Sequence, residues 1–477
     1  MNGIAIKGRE ILACAAALCL VGCAAVGPNF RRPAATTDAG YAMAGDPAPR
    51  GVLLTADART AGPWWRALGS AQLDTVMNQA LAGNQTVAQA DAALEKARRQ
   101  ADVAKAALKP QIDANAGLER ERVNPAAFGF PGFPGNTFNL YSVGGTVSYD
   151  LDLFGGNRRH LEAERAMAQA QSSRADAAYL TLTGEVALEA VRIAGLRAEL
   201  DAVRAVAADD QENIDIVRRA EAAGGEANSA SSGGQAQLAQ DQALAPPLAQ
   251  QLSEARHALA VLVGKSPAQW SAPDFNFAGF SPPAQVPVSL PSSLVRNRPD
   301  ILAAEADFHA ATASIGVAAA NLYPDVRLSA GLTQAAITPG ALFDYSSTAW
   351  TLGAGLTAPI FHGGALRAAK AAAVADANAS LALYRQTVLA AFGQVADVLA
   401  ALAHDDDDVA ALARAEAAAS SSLDDARAAY RLGGGARLAI VIAQRQANRA
   451  RLARVQAAGQ RLIDIVKLFA ATAADWR

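Results

Sequence analysis

The amino-acid sequence of 477 residues points to an α+β membrane protein in which amphipathic strands alternate with long helical hairpins. Three observations lead there. One pattern runs through the chain twice, strict apolar/polar alternation marks four strands, and apolar residues seven apart mark long packed helices.

The first residues read as a signal for export. Lys7 and Arg9 form a positive start, and Ile11 to Val21 an apolar stretch of about 11 residues, too short for the ~20 that a spanning helix needs. It ends in Leu20-Val21-Gly22-Cys23, similar to a bacterial lipobox, so residues 1–22 are expected to be removed. Cys23 is then expected to carry S-diacylglycerol and an N-acyl chain, a lasting anchor at about 0.8 kcal/mol per buried methylene. The bland alternative is an ordinary signal peptide with a chance cysteine. All three cysteines, Cys14, Cys19 and Cys23, lie in this region, so the rest of the chain forms no internal disulfide. Ala24 rather than aspartate follows Cys23, which by resemblance to sorted lipoproteins implies the outer membrane. Residues 23–62 make up the lipidated N-terminal segment.

Two repeats follow, residues 63–275 and 276–477. Ala107-Leu108-Lys109-Pro110 in the first corresponds to Asn321-Leu322-Tyr323-Pro324 in the second, and each closes an alanine-rich helix and opens a strand. Near 111–120, Ile112, Ala114, Ala116 and Leu118 oppose Asp113, Asn115, Gly117 and Glu119. Near 138–154, Tyr141, Val143, Gly145, Val147, Tyr149, Leu151 and Leu153 oppose Ser142, Gly144, Thr146, Ser148, Asp150 and Asp152. In the second repeat the pair is placed near 325–334, with Val326, Leu328, Ala330 and Leu332 on one face, and near 350–361, with Trp350, Leu352, Ala354, Leu356, Ala358 and Ile360. Such alternation suits a half-buried strand of a soluble sheet, and equally a barrel strand between lipid and water. Four strands do not close a barrel, since the smallest membrane barrels use about eight, so a membrane reading requires several chains to share one. Two connections rich in Gly, Pro and Phe, Asn124 to Asn136 and Gln334 to Asp344, suit exposed hairpin loops.

Each strand pair stops at paired glycines, Phe154-Gly155-Gly156 and His362-Gly363-Gly364, and gives way to helix. Val186, Ile193, Leu200, Ala207 and Ile214 fall seven apart in the first repeat, as do Val374, Leu381, Val388, Val395, Leu402 and Val409 in the second. The tract from Arg158 to Glu221 is on the order of 95 Å long at the helical rise. Glycine clusters end both tracts, and return helices follow over Gln235 to Val263 and Ala436 to Phe469, the first kinked at Pro246-Pro247. The hairpins thus occupy 158–263 and 364–470.

Composition narrows the function. A net charge of −3 without a basic stripe argues against nucleic acid. No run of 18 consecutive apolar residues follows the signal, so no transmembrane helix is expected. His160, His257, His309, His362 and His404 are scattered without metal-ligand spacing, and no phosphate loop or nucleophile arrangement stands out. Neither catalytic nor metal-binding residues are therefore expected, nor a cofactor beyond the covalent lipid, and the chain is read as no enzyme. His404-Asp405-Asp406-Asp407-Asp408 reads as a solvated turn of helix.

Several blocks together resemble the TolC-like outer-membrane factors, in particular the NodT subfamily of efflux lipoproteins paired with RND pumps. They are Val26-Gly27-Pro28-Asn29-Phe30 after Cys23, Trp64-Trp65 before Leu73, Ala80 and Asn84, and the corner Ser148-Tyr149-Asp150-Leu151-Asp152-Leu153-Phe154-Gly155-Gly156. Leu290-Pro291, Arg298-Pro299-Asp300-Ile301 with Ala304-Glu305, Ile315-Gly316 and Pro359-Ile360-Phe361 complete the likeness. The resemblance implies a homotrimer with one shared 12-strand transmembrane β-barrel and a periplasmic α-helical barrel. It implies passive conduction of small molecules from a periplasmic membrane-fusion adaptor and an inner-membrane RND-type pump. A type I secretion duct, a metal-ion efflux duct and, in a different class, a structural coiled-coil lipoprotein stay open. The family's closed periplasmic tip would match Tyr430, Arg431 and Gly433, with Arg437 a further candidate lining residue. The chain departs from the family in carrying Ile442 where an aspartate is usual, which leaves an acidic ring unsupported.

Overall fold

The computed structural model describes residues 25–34, 36–55, 63–129, 132, 134–224 and 228–472. The signal segment and Cys23 lie outside the described residues. In chain order the elements are β1 (Val52–Thr55), α1 (Ala71–Gly83), α2 (Gln85–Ala106), β2 (Gln111–Val123), β3 (Asn136–Asp150), α3 (Gly156–Ala222), α4 (Asn228–Gln242), α5 (Ala245–Leu262), β4 (Val286–Ser289), α6 (Pro291–Asn297), α7 (Pro299–Ala320), β5 (Asp325–Ala336), β6 (Thr348–Thr357), α8 (Ala365–Arg431) and α9 (Arg437–Thr472). They form two compact units. One comprises Met1–Pro33, Ala93–Ser172 and Ala303–Tyr384, and the other Ala34–Ala92, Ser173–Leu302 and Arg385–Arg477.

The first unit carries an antiparallel sheet of order β2-β3-β5-β6, two hairpins side by side. The strands extend two or three residues further into their hairpin loops than expected, and two of them stop early at the other end. β3 ends at Asp150 and β6 at Thr357, short of the 154 and 361 expected from alternation alone. The first stop has a visible cause. Asp152 has φ 47° and Gly155 φ 74°, and the Asp152 carboxylate accepts from the backbone N–H groups of Asn157 (2.9 Å) and Arg158 (3.0 Å). Two orphan donors of α3 are thereby satisfied, so the chain leaves the sheet where its helix can be capped. Phe154 stacks on Tyr323 at 4.5 Å between ring centroids, holding the two repeated Pro-strand-glycine patterns together.

The second unit has the main apolar core. Trp64 and Trp65 open a buried turn of helix. Trp64 stacks on Phe469 at 5.6 Å and Trp65 Nε1 donates to Asp74 Oδ1 at 3.0 Å. Ser70 caps α1, whose Leu73, Val76, Met77 and Ala80 face the core at helical spacing. Buried Arg298 donates to Asp300 (2.9 Å), to Ala471 O in the last turn of α9 (2.9 Å), and to Gln394 Oε1. A cation at a helix C-terminus also meets the favourable end of its dipole. The Arg-Pro-Asp-Ile block is thus a clamp between helices. A short parallel pair, Val52↔Val286 to Thr55↔Ser289, lay unseen in the sequence, because four-residue strands are too short to show a period.

Two helical expectations change. The first return helix is two helices rather than one kinked helix: α4 ends at Gln242 and Pro246-Pro247 sit in the first turn of α5, where missing N–H groups cost nothing. Val186, Ile193, Leu200 and Ile214 are buried as the heptad implies, but Val374 is 40% exposed. Early in α8 the buried positions are Ala377 and Tyr384, also seven apart, with Ala377 against Ala311 and Ile315 of α7. A straight helix drifts by about 20° per heptad, so one seam need not serve its whole length. An 18-residue window within α8 has mean hydropathy 1.5, a composition that core helices also reach, so it does not by itself mark a membrane span.

Candidate channel wall and glycine turn

The sheet register decides which side chains share a face. Ile112 pairs with Val147, Ala116 with Val143 and Leu118 with Tyr141. Val147 in turn pairs with Ala330 and Gly145 with Leu332, and beyond them Ala330 pairs with Leu352 and Leu332 with Trp350. Paired residues of a sheet point the same way, so these apolar residues of the four strands lie on one face. The opposite face carries Asp113, Asn115, Ser142, Thr146, Ser329 and Thr351 by the same pairings. Ile112, Trp350, Leu352 and Leu356 are exposed, Leu352 at 79%. A contiguous apolar face of this kind is covered by lipid or by another surface, since water alone would leave it unsatisfied.

The segment after Cys23 is docked on the same unit. Val26 N donates to Phe154 O (3.0 Å). Arg159, 5% exposed, donates to Val26 O (3.1 Å), Gly27 O (3.3 Å), Asn29 Oδ1 (2.8 Å) and Glu162 Oε2 (2.7 Å). Gly27 has φ 94°, and a Cβ there would stand 2.5 Å from Gly316 Cα, which accounts for glycine at both positions. Phe30 stacks on His309 at 4.3 Å, and His309 bonds Glu162 (3.0 Å). Burial alone would raise the Glu162 carboxyl, but hydrogen bonds from His309 and Arg159 hold it below its ordinary value.

In the second unit the residues matched to the tip gather at one cleft. α8 ends through Gly433, φ 79°, whose N–H donates to Tyr430 O (3.0 Å), and the Gly434 N–H donates to Ala429 O (3.1 Å). These bonds close a glycine C-cap. Arg437 starts α9 with its guanidinium carbon 5.8 Å from the Tyr430 ring centre. Tyr430, Arg431 and Arg437 line a cavity of about 550 Å³ together with Asp209, Glu212 and Asp424. Gly433 forms the turn and does not line the cavity. The acidic lining residues come from α3 and from about two turns upstream in α8. Sequence reading missed them because it sought an aspartate at position 442, and Ile442 is exposed. Gln444, buried at the centre, accepts from Arg427 (2.7 Å) and donates to Asp209 (2.8 Å), tying both repeats together.

The aspartate run after His404 is not uniformly solvated. Asp406 accepts from Arg461 (2.7 Å) and Asp407 from Arg50 (3.2 Å). Burial and the neighbouring Asp464 carboxyl push Asp405 up to about 6. No group of three or more His, Cys, Asp or Glu among the described residues is arranged to hold a metal ion.

Known proteins share this arrangement. The model of the family described as outer membrane efflux protein matches residues 76–265 and 290–474. The chain belongs to that family. It is 30% identical over 428 residues to the pyoverdine export outer membrane protein OpmQ of Pseudomonas aeruginosa, covering 88% of this chain and 89% of that one. Nodulation protein T of Rhizobium leguminosarum bv. trifolii is 28% identical over 436 residues, 90% of this chain and 89% of that protein. The solved outer-membrane channel OprN superposes with a TM-score of 0.85 at 27% identity, over 94% of this chain and 99% of that chain. This efflux protein therefore has the TolC-like fold and is an outer-membrane channel component of NodT type, reaching into the periplasm. Members of the family are channels that normally need no cofactor and work with adaptor and inner-membrane pump partners.

Proposed function

We propose that this efflux protein works as a homotrimer that conducts small molecules passively through one shared 12-strand barrel and performs no catalysis. The observation that supports this is the register: a continuous apolar band on one face of a four-stranded sheet whose outer strands, β2 and β6, lack a further neighbour among the described residues. Successive antiparallel pairs make β2 run opposite to β6. Three copies placed edge to edge therefore continue the antiparallel ladder without a break and remove every edge, as lipid requires.

The remaining parts of the reading follow. Residues 1–22 are a signal peptide, Cys23 carries the lipid, and residues 63–275 and 276–477 are the two repeats. A periplasmic membrane-fusion adaptor and an RND-type pump deliver substrates. Tyr430, Arg431 and Arg437 line a periplasmic constriction whose turn is made by Gly433. The test is conductance of the purified, detergent-extracted protein in planar bilayers, with chain stoichiometry from cross-linking. Discrete channels from trimers are expected, and monomers that pass no ions would overturn the proposal. Acyl labelling tests the anchor separately, being lost in Cys23→Ala; unchanged labelling removes Cys23 from its role.

A further inference from the structure

The far end of β2 reads Glu119-Arg120-Glu121-Arg122, alternating charges on a strand whose successive side chains point to opposite faces. The register sorts them by sign. Leu118 pairs with Tyr141 on the apolar face, and beyond it on that face Arg120 pairs with Asn139 and Arg122 with Thr137. Glu119 and Glu121 pair with Leu140 and Phe138 and face the other way. Both positive charges therefore continue the apolar side, and both negative charges the polar side.

This is the outer end of the sheet. β2 follows α2 and β3 runs into α3, so the connection between Val123 and Asn136 lies farthest from the helices that reach into the periplasm. Arg120 and Arg122 are exposed and form no ion pair among the described residues. Past the apolar residues, the same face carries Asn139 and Thr137 on β3, Gln334 on β5 and Thr348 on β6, where Thr348 Oγ1 donates to Gln334 Oε1 at 3.0 Å. No carboxylate of these four strands shares that face with the arginines.

Their depth identifies the partner. At about 3.4 Å per residue and a tilt of about 40°, Arg120 stands roughly 5 Å and Arg122 roughly 10 Å beyond Leu118 along the membrane normal. The headgroup layer is about 5–8 Å deep on each side of the hydrocarbon. Both guanidinium groups thus reach headgroup level, where their paired N–H donors match phosphate oxygens. We propose that Arg120 and Arg122 bind the phosphate of a phosphorylated glycolipid in the outer leaflet, giving each chain one anionic-lipid site at its outer rim. The inference rests on the barrel reading above, which gives the sheet its lipid side. The apolar band takes acyl chains of any lipid, whereas the arginine pair selects among lipids by their phosphate.

Titration of the purified full-length trimer in neutral detergent with bisphosphorylated lipid A, and with the same lipid lacking both phosphates, tests this by native mass spectrometry. At least tenfold tighter binding of the phosphorylated lipid is expected, without displacement by inorganic phosphate at equal concentration, since the acyl chains hold the ligand on the band. Arg120→Gln with Arg122→Gln is expected to abolish the preference, and Arg120→Lys with Arg122→Lys to keep most of it. Glu119→Gln with Glu121→Gln, on the polar side, is expected to keep it in full. Heat-resistant trimers on gels check that each variant folds. A preference that survives in the double glutamine variant of the arginines, or displacement by inorganic phosphate, overturns the lipid site. A parent that conducts ions yet binds both lipids alike sinks this inference and leaves the barrel standing. A parent that forms no channel removes the lipid side, and the site with it.

Discussion

Arg159 shows how one side chain ties the segment of residues 26–29 to the fold. Its guanidinium, almost fully buried, meets three carbonyls, an amide oxygen and Glu162, so its charge is neutralised and its donors used. Arg159→Ala removes the clamp and leaves those acceptors without their donor, at a cost of about 2–3 kcal/mol. The expected outcome is rapid proteolysis between Ala25 and Pro33 in an otherwise folded protein; a segment as resistant as in the parent would show that Phe30 stacking suffices. Asp405 is the second case. Its folded value, near 6, lies above its ordinary one, so it favours the native state below about pH 4, and that contribution is lost as pH rises to about 6. Asp405→Asn is expected to be more stable than the parent at pH 7.5 by about 1 kcal/mol and to lose the advantage near pH 4, measured by guanidinium unfolding midpoints. The corner glycines and aspartates were legible in the sequence because their partners lie within a few residues. Arg159, Arg298 and Gln444 were not, because each bonds residues more than a hundred positions away.

At the scale of elements, the period of the pattern carried most of the information. Alternation located all four strands of the sheet, and its register put every apolar partner on the expected side. Heptads located α3 and α8, yet of the α8 series only Val395 and Leu402 are buried. Spacing along a helix fixes which residues share a stripe, whereas the neighbours decide which stripe is covered. Ile193→Ala is therefore expected to destabilise by about 2–5 kcal/mol, as for a fully buried branched residue. Val374→Ala should stay within ±0.5 kcal/mol of the parent. Thermal unfolding of both variants checks this, and a large loss in Val374→Ala would mean that its seam is covered after all, by a neighbouring copy.

For the whole molecule the decisive property is that the sheet has two chemically different faces and two open edges. Such a sheet is unfit for water, where its apolar face is uncovered, and unfit for lipid, where its unpaired N–H and C=O groups are intolerable. The proposed trimer would resolve both defects at once, because closure would supply the missing ladder partners and turn the apolar face outward. The sequence contained this argument in outline, four two-faced strands being too few to seal a cylinder, but the pairing β3 to β5 that joins the repeats into one sheet became visible only in the fold. The argument yields a paired test. Leu352 and Thr351 are adjacent on β6 and point to opposite faces. Arginine at a lipid-facing site near the bilayer midplane costs about 2–4 kcal/mol, while a lumen-facing arginine alters selectivity instead. Leu352→Arg is thus expected to abolish heat-resistant trimers on gels, and Thr351→Arg to keep them while shifting the channel toward anions in bilayer recordings. The reverse pattern would turn the barrel inside out, and intact trimers in both variants would mean that this sheet does not meet lipid.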